Sequence, residues 1–98
     1  MTIEKNIDKD RLTVAVSGKL NTVTSQKFAD ELKCLNGVKE LVLDFAGLEQ
    51  ITSAGLRVLL EIQYDMTEQQ SRMIVKNVSD AVHEVFELTG FVNFLTIE

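Results

Sequence analysis

The side chains best placed for chemistry in this 98-residue chain are two adjacent hydroxyls, Thr52 and Ser53. They lie between an apolar segment that predicts a buried strand and a periodic apolar segment that predicts a helix. The first turn of a helix has free backbone N–H groups and a partial positive charge, so it favours a phosphate or another anion. Ser53 is therefore a candidate for phosphorylation. The simpler interpretation is that one hydroxyl caps the helix and Gly55 allows close packing.

Elsewhere the sequence has no residue set typical of an active site. One histidine, His83, and one distant cysteine, Cys34, make neither a metal site nor a nucleophile–base pair. We expect His83 at a surface or helix edge and Cys34 as a small residue near the end of the first helix. Neither a GxxxxGK[ST] loop nor a GxGxxG motif is present. The sequence thus predicts no enzyme, no cofactor and no metal.

Composition excludes several classes of partner. The net charge is -5 and no run of Lys or Arg occurs, which argues against direct binding of nucleic acid or of an anionic membrane. The apolar runs are too short for membrane insertion, and the polar first ten residues do not resemble a signal peptide. A single cysteine fits a reducing, cytoplasmic setting. The length predicts one domain, residues 1–98.

The hydrophobic pattern predicts an α/β fold with the element order β-β-α-β-α-β-α-β. The expected strands are 3–7, 12–17, 39–45, 73–75 and 94–97. The first two should form a hairpin, with Gly18 ending the second. The expected helices start at Thr22 or Thr24, at Ser53 and after Ser79, and end at Asn36-Gly37, near Gln69 and at Gly90. A mixed β-sheet covered by helices follows, since parallel strands need crossover connections.

The second helix should bury one stripe of apolar residues. Leu56, Leu59, Leu60 and Tyr64 follow helical spacing, and the first three are expected in the core.

The segment LVLDFAGLEQITSAGLRVLL resembles the signature of the STAS family, the anti-anti-sigma factor domain. Family members have a strand ending near an Asp, here Asp44, and then a Ser/Thr-Ser/Ala-Gly-Leu sequence that opens a helix, here residues 53–56. The segments 17–21 (SGKLN) and 85–91 (VFELTGF) resemble two further family motifs. The resemblance covers essentially the whole chain, and it implies a STAS-like fold for this single domain.

The resemblance also implies a function. Bacterial anti-sigma factor antagonists of this family are phosphorylated on the serine that corresponds to Ser53. Their kinase is the anti-sigma factor itself, a histidine-kinase-like ATPase, and a metal-dependent serine phosphatase removes the phosphate. The unphosphorylated antagonist binds the anti-sigma factor and frees the sigma factor. Two positions depart from the family pattern, because the family often has Asp at the positions of Thr52 and Asn21. Thr52 is also an alternative phosphoacceptor.

By topology and resemblance together, the partner-binding surface is expected to contain Asn21, Thr22, Glu49, Gln50, Thr52, Ser53 and Arg57. A second interpretation stays open, because the accessory subunit of a lipid-transporting ABC complex shares the fold and a Thr/Ser-Ala-Gly-Leu junction without a phosphate cycle. A third is a nucleotide-binding module or an enzyme. The identity of the sigma and anti-sigma factors, the input signal and the oligomeric state are not determined by the sequence.

Overall fold

The computed structural model describes residues 1–33 and 35–98, so the expectation for Cys34 lies outside the described residues. The predicted element order is confirmed. The strands are β1 (Thr2–Asp8), β2 (Arg11–Leu20), β3 (Glu40–Ile51), β4 (Arg72–Lys76) and β5 (Thr96–Ile97). The helices are α1 (Ser25–Glu31), α2 (Ser53–Glu68) and α3 (Asp80–Thr89), with a 3₁₀ turn at Phe91–Asn93.

The five strands form one mixed sheet in the order β1-β2-β3-β4-β5. β1 and β2 are the predicted antiparallel hairpin, and β2 to β5 run parallel. Crossovers between parallel strands are almost always right-handed, and three that step in one direction along the sheet are therefore expected to place their helices on one face. The buried residues agree, because side chains of all three helices share one cluster with alternate residues of β2 such as Leu12, Val14 and Val16.

On the opposite face, Val42 and Ile74 are buried but lie outside that cluster. They occupy neighbouring strands at paired positions, with Thr13 on the other side of Val42. Within the described residues, one face of the sheet packs against the helices and forms the core. No described helix covers the other face, where Val42 and Ile74 are buried outside the core cluster. No described helix is long and apolar enough to cross a membrane.

The two strands that lead to the candidate site are longer than predicted. β2 continues past Gly18 to Leu20, and β3 continues past Phe45 to Ile51. Two irregularities in the pairing accommodate extra residues on β3: Ala15 and Ser17 pair with Asp44 and Gly47, and Gly18 and Lys19 pair with Leu48 and Gln50. Such bulges bend a strand and increase its twist. The expected loop before α2 is thus almost entirely strand.

The ends of α1 and β5 also differ from the prediction. α1 ends at Glu31, and Gly37 takes its left-handed conformation (φ 85°) in a later turn. The closing strand begins at Thr96 because the 3₁₀ turn occupies Phe91–Asn93. α3 follows the prediction: Ser79 Oγ accepts the backbone N–H of Val82, and Gly90 ends the helix with φ 79°.

The apolar stripe of α2 is only partly as expected. Leu56 and Leu59 are buried, together with Val58, Ile62 and Met66. The prediction for Leu60 is wrong, since 46% of this residue is exposed, and Tyr64 is 64% exposed. Successive helical residues are separated by about 100°, so Leu60 turns away from the sheet when Leu59 faces it.

Candidate functional site

The start of α2 is fixed against the ends of β2 and β3. The Thr52 backbone N–H donates to the Leu20 carbonyl over 2.9 Å, and the Thr52 carbonyl accepts the N–H of Leu56 over 3.0 Å. A Cβ at Gly55 would lie 2.7 Å from Leu20 Cγ, 2.9 Å from Ile51 Cγ1 and 3.0 Å from the Leu20 carbonyl oxygen. Only glycine lets the first turn approach so closely, which confirms the packing role expected for Gly55.

The two adjacent hydroxyl residues have opposite surroundings. Thr52 occupies the N-cap position, but its side chain makes no cap hydrogen bond, and its Oγ1 is buried without a hydrogen-bond partner among the described residues. Ser53 is the first helical residue and is exposed. The expectation that a side chain caps this helix is not met by Thr52. Of these two residues, Ser53 is the one that is exposed. It lies beside backbone N–H groups of the first helical turn, to which the Thr52 side chain makes no hydrogen bond.

The loop that follows β2 borders the same surface, because Leu20 pairs with Ile51. Asn21 Oδ1 accepts the backbone N–H groups of Val23 (3.0 Å) and Thr24 (3.2 Å). Thr24 Oγ1 in turn accepts from the Asn21 N–H (2.9 Å) and donates to the Lys19 carbonyl (2.7 Å). Asn21 therefore holds this loop by hydrogen bonds that an Asp could also accept. Thr22 is exposed beside it.

Val23, in this loop, was not among the residues predicted for the surface. It is 86% exposed, the most exposed large apolar residue described. The sequence carried one signal for it: Val23 is a lone apolar residue between hydroxyl residues, out of step with the helical spacing that follows.

Two open grooves border the site. One, of about 490 Å³, is lined by Lys19, Glu49, Gln50, Ile51, Ala81 and Val85. It brings the predicted residues Glu49 and Gln50 next to α3, whose contribution the sequence did not indicate.

The other groove, of about 430 Å³, runs between α1 and α2. Arg57 lies at its edge, with its Nε 3.6 Å from the Glu61 carboxylate. The predicted residues thus all lie at the carboxyl-terminal edge of the sheet or on the first turns of α2, and Thr52 alone has its functional group buried.

Asp44, part of the family-like segment, lies apart from this surface. Its Oδ1 accepts from Asn77 Nδ2 over 3.1 Å and from the Ala46 N–H over 3.0 Å. The hydrogen bond from Asn77 holds the pKa of Asp44 below its ordinary value, although partial burial opposes this. Asp44 therefore joins β3 to the turn after β4 and makes a structural contribution.

Among the described residues, we find no cluster of side chains arranged to bind a metal ion. No group of three or more His, Asp or Glu side chains is suitably placed for a metal ion. His83 lies on the surface of α3, where its Nδ1 is 2.7 Å from the Glu87 carboxylate. The surface around Ser53 carries two exposed hydroxyl residues, Ser53 itself and Thr22.

A sequence profile of the family described as "Mlab, STAS domain" matches residues 3–96. The chain belongs to the STAS domain family. Among its relatives, BtrV of Bordetella bronchiseptica, which is assigned as an anti-sigma factor antagonist, is 30% identical over 88 residues, covering 88% of this chain and 76% of BtrV. The anti-sigma-B factor antagonist of Listeria monocytogenes is 25% identical over 96% of this chain and 84% of its own length.

Solved structures show the same fold for this STAS domain. The unphosphorylated form of the anti-sigma factor antagonist SpoIIAA superposes with a TM-score of 0.85 at 16% identity, over 99% of this chain and 88% of that one. The phosphorylated form of the Bacillus SpoIIAA matches with a TM-score of 0.77 at 15% identity, over 99% and 91%. The STAS-like fold expected from the sequence is confirmed.

Proposed function

We propose that this STAS domain is an anti-sigma factor antagonist whose partner-binding surface is centred on Ser53. In this proposal an anti-sigma factor with serine kinase activity binds the unphosphorylated domain and releases its sigma factor. Phosphorylation of Ser53 ends the complex, and a serine phosphatase restores it. The observation that carries the proposal is the exposed hydroxyl of Ser53 at the first residue of α2, in a chain whose relatives carry this function in their names.

The burial of Thr52 Oγ1 supports Ser53 as the phosphoacceptor. A kinase must bring the γ-phosphate of ATP in line with the attacking oxygen, and it cannot reach an enclosed hydroxyl without moving α2. The backbone bond between Thr52 and Leu20 opposes that movement. Ser53 requires no such movement because its side chain is already at the surface.

Phosphorylation at this position should leave the domain folded. A phosphate adds about -1.5 to -2 charges near neutral pH, and a helix N-terminus favours negative charge. The solved phosphorylated form of SpoIIAA, with the same fold, is consistent with this expectation. The effect of the phosphate then lies at the interface, where its bulk and charge oppose the close approach of the partner.

The test combines the domain with a kinase-type anti-sigma factor from the same organism and with ATP, followed by mass spectrometry of the intact chain and its peptides. We expect one phosphate on Ser53, none on the Ser53→Ala variant, and unchanged modification of Thr52→Val, which keeps the shape of the buried side chain. Ser53→Glu should keep the melting temperature of the parent and lose binding. A phosphate on Thr52, or none on either residue, would contradict the phosphoswitch.

A second function, accessory subunit of a lipid-transporting ABC complex, is favoured by one observation. The junction Thr52-Ser53-Ala54-Gly55-Leu56 contains alanine after Ser53 and lacks an acidic residue before it. Such a subunit would bind its ATPase whether or not Ser53 is modified. Co-purification with an ABC ATPase that Ser53→Glu leaves intact would support this second function over the first.

A further inference from the structure

The solvent-facing side of α2 carries an apolar stripe that begins at the candidate phosphoacceptor. Ser53, Arg57, Leu60 and Tyr64 are spaced i, i+4, i+7 and i+11. At about 100° per residue, these four positions fall within an arc of about 60° on the helix. We call Arg57, Leu60 and Tyr64 the α2 stripe. The buried Leu59 and Met66 face the opposite direction, toward the sheet.

The two apolar members of the α2 stripe, Leu60 and Tyr64, are exposed and do not belong to the hydrophobic core. Leu60 and Tyr64 are one helical turn apart, so their side chains lie next to each other on the surface. Single exposed apolar residues are ordinary, but aromatic and aliphatic side chains grouped beside a functional residue are typical of contact surfaces. Their alignment with Ser53 distinguishes them from Ile7 and Leu88, which are exposed on other elements.

The size of a stable interface connects the α2 stripe with Ser53. A standard protein–protein interface buries about 800 Å² on each partner, which corresponds to a patch with a radius of about 16 Å. At about 1.5 Å per residue, Leu60 lies about 10 Å and Tyr64 about 16 Å along the helix from Ser53. A partner that covers Ser53 with an interface of this size therefore reaches the α2 stripe.

The charges around the α2 stripe define the complementary surface. Glu61, Asp65 and Glu68 are exposed on the same helix, and the stripe's one cation, Arg57, is already paired with Glu61. A partner that covers these residues is best matched by an apolar strip with basic side chains at its rim.

We propose that the anti-sigma factor that covers Ser53 also packs along the α2 stripe, with apolar side chains against Leu60 and Tyr64 and basic side chains facing Glu61, Asp65 and Glu68. This inference rests on the proposed function. It assigns the two ends of one interface different tasks. Ser53 makes binding responsive to phosphorylation, and the α2 stripe supplies affinity that does not depend on the phosphate.

The test measures binding of the unphosphorylated domain to the anti-sigma factor by calorimetry. Leu60→Ala and Tyr64→Ala should each weaken the complex, and the double variant should raise Kd by at least about tenfold, because the two truncations together remove the apolar contacts that the α2 stripe supplies. The matched control is Ile7→Ala, which removes an exposed apolar side chain from β1 and should leave Kd unchanged. All variants should remain folded in melting curves, with a small decrease in melting temperature for Leu60→Ala, because Leu60 is 46% exposed and therefore partly covered.

The outcomes separate the two proposals. If the parent domain does not bind the anti-sigma factor, the proposed function fails. If the parent binds and the double variant binds equally well, the α2 stripe is not part of the interface, while the proposed function stands. If the parent is a dimer in sedimentation experiments and the double variant a monomer, the stripe contacts a second copy of the chain, which also overturns this inference.

Discussion

The two neighbouring hydroxyl residues at the start of α2 differ in exposure, because Ser53 is exposed and the Thr52 Oγ1 is buried. Thr52 is fixed by the backbone bond to Leu20, and this bond points its side chain into the protein. Ser53 follows on the helix and points out. Adjacent residues of the same chemical type thus differ in exposure, because one closes the strand–helix junction and the other begins the helix surface.

Gly55 is the residue on which this junction depends. For Gly55→Ala, we expect a net loss of about 1–2 kcal/mol in the free energy of unfolding, measured with denaturant. The new Cβ would overlap Leu20 and Ile51, which costs about 1–3 kcal/mol, while the higher helix propensity of alanine returns up to about 1 kcal/mol.

Ser53→Ala is the matched control for this prediction, because it changes an exposed residue of the same turn and should alter stability by less than about 0.5 kcal/mol. Equal stability of the two variants would show that the first turn of α2 does not need its close approach to β2.

At the scale of single elements, α2 shows both what the sequence determines and where it is ambiguous. Its bounds were predicted to within one residue, because the hydroxyls, the glycine and the leucine spacing all agree. The error lay at Leu60. Leu59 and Leu60 are adjacent in the sequence. Helical periodicity is compatible both with a broad apolar stripe that includes the two residues and with a narrower stripe that includes only Leu59. Which of the two faces the sheet depends on the rotation of the helix, which Gly55 sets through its contact with Leu20.

The predicted β3 was shorter than the observed strand, and the reason is different from that for Leu60. Gly47, Glu49 and Gln50 have the composition of a loop, but Gly47 and Gln50 still pair with β2, and Glu49 is the extra residue of the second irregularity. Backbone hydrogen bonds between strands form with polar and apolar side chains alike. The part of a strand that extends beyond the core therefore lacks the apolar pattern by which a strand is predicted. For the candidate site, the residues predicted from the sequence lie at the ends of β2 and β3 and on the first turns of α2. The sequence could not show that Thr52 is enclosed, because that depends on the packing of Leu20.

Leu59 and Leu60 offer a direct test of the helix orientation. Leu59→Ala should lower the free energy of unfolding by about 2–5 kcal/mol, because it removes a side chain with 0% exposure from the core. Leu60→Ala should cost less than about 1 kcal/mol, since this side chain is half in water. Denaturant unfolding of both variants measures the difference, and similar losses would mean that α2 is rotated from the orientation described.

At the scale of the whole molecule, three carboxylates make the stability of the fold dependent on pH. Hydrogen bonds from Asn77, Lys33 and Lys5 lower the pKa of Asp44, Asp30 and Glu31, respectively. A pKa that is lower in the folded than in the unfolded chain stabilises the fold above the ordinary value, 3.8 for Asp and 4.5 for Glu. This stabilisation is lost as the pH falls below these values. Asp44 should contribute most clearly, since Asp30 and Glu31 are solvent-exposed.

We therefore expect the free energy of unfolding to decrease from pH 5 to pH 2, and to decrease less steeply in Asp44→Asn, which has no carboxylate to protonate. Asn77→Gly keeps the left-handed backbone at this position (φ 58°) and removes the donor, so it should flatten the same slope. The double variant should show no further flattening, because both changes remove one interaction. An unchanged slope in Asp44→Asn would exclude this carboxylate as a source of acid sensitivity.

The directions of the strands have a practical consequence for such experiments. β1 runs antiparallel to β2, and β5 runs parallel to the inner strands, so both chain ends leave the sheet at the edge where α2 begins. Met1 lies against Gly18 at that edge. An affinity tag or fluorophore at residue 1 or 98 would leave the sheet on the side from which α2 starts, the side that carries Ser53. The hairpin turn at Lys9 lies at the far edge and is the better place for a label or a surface attachment.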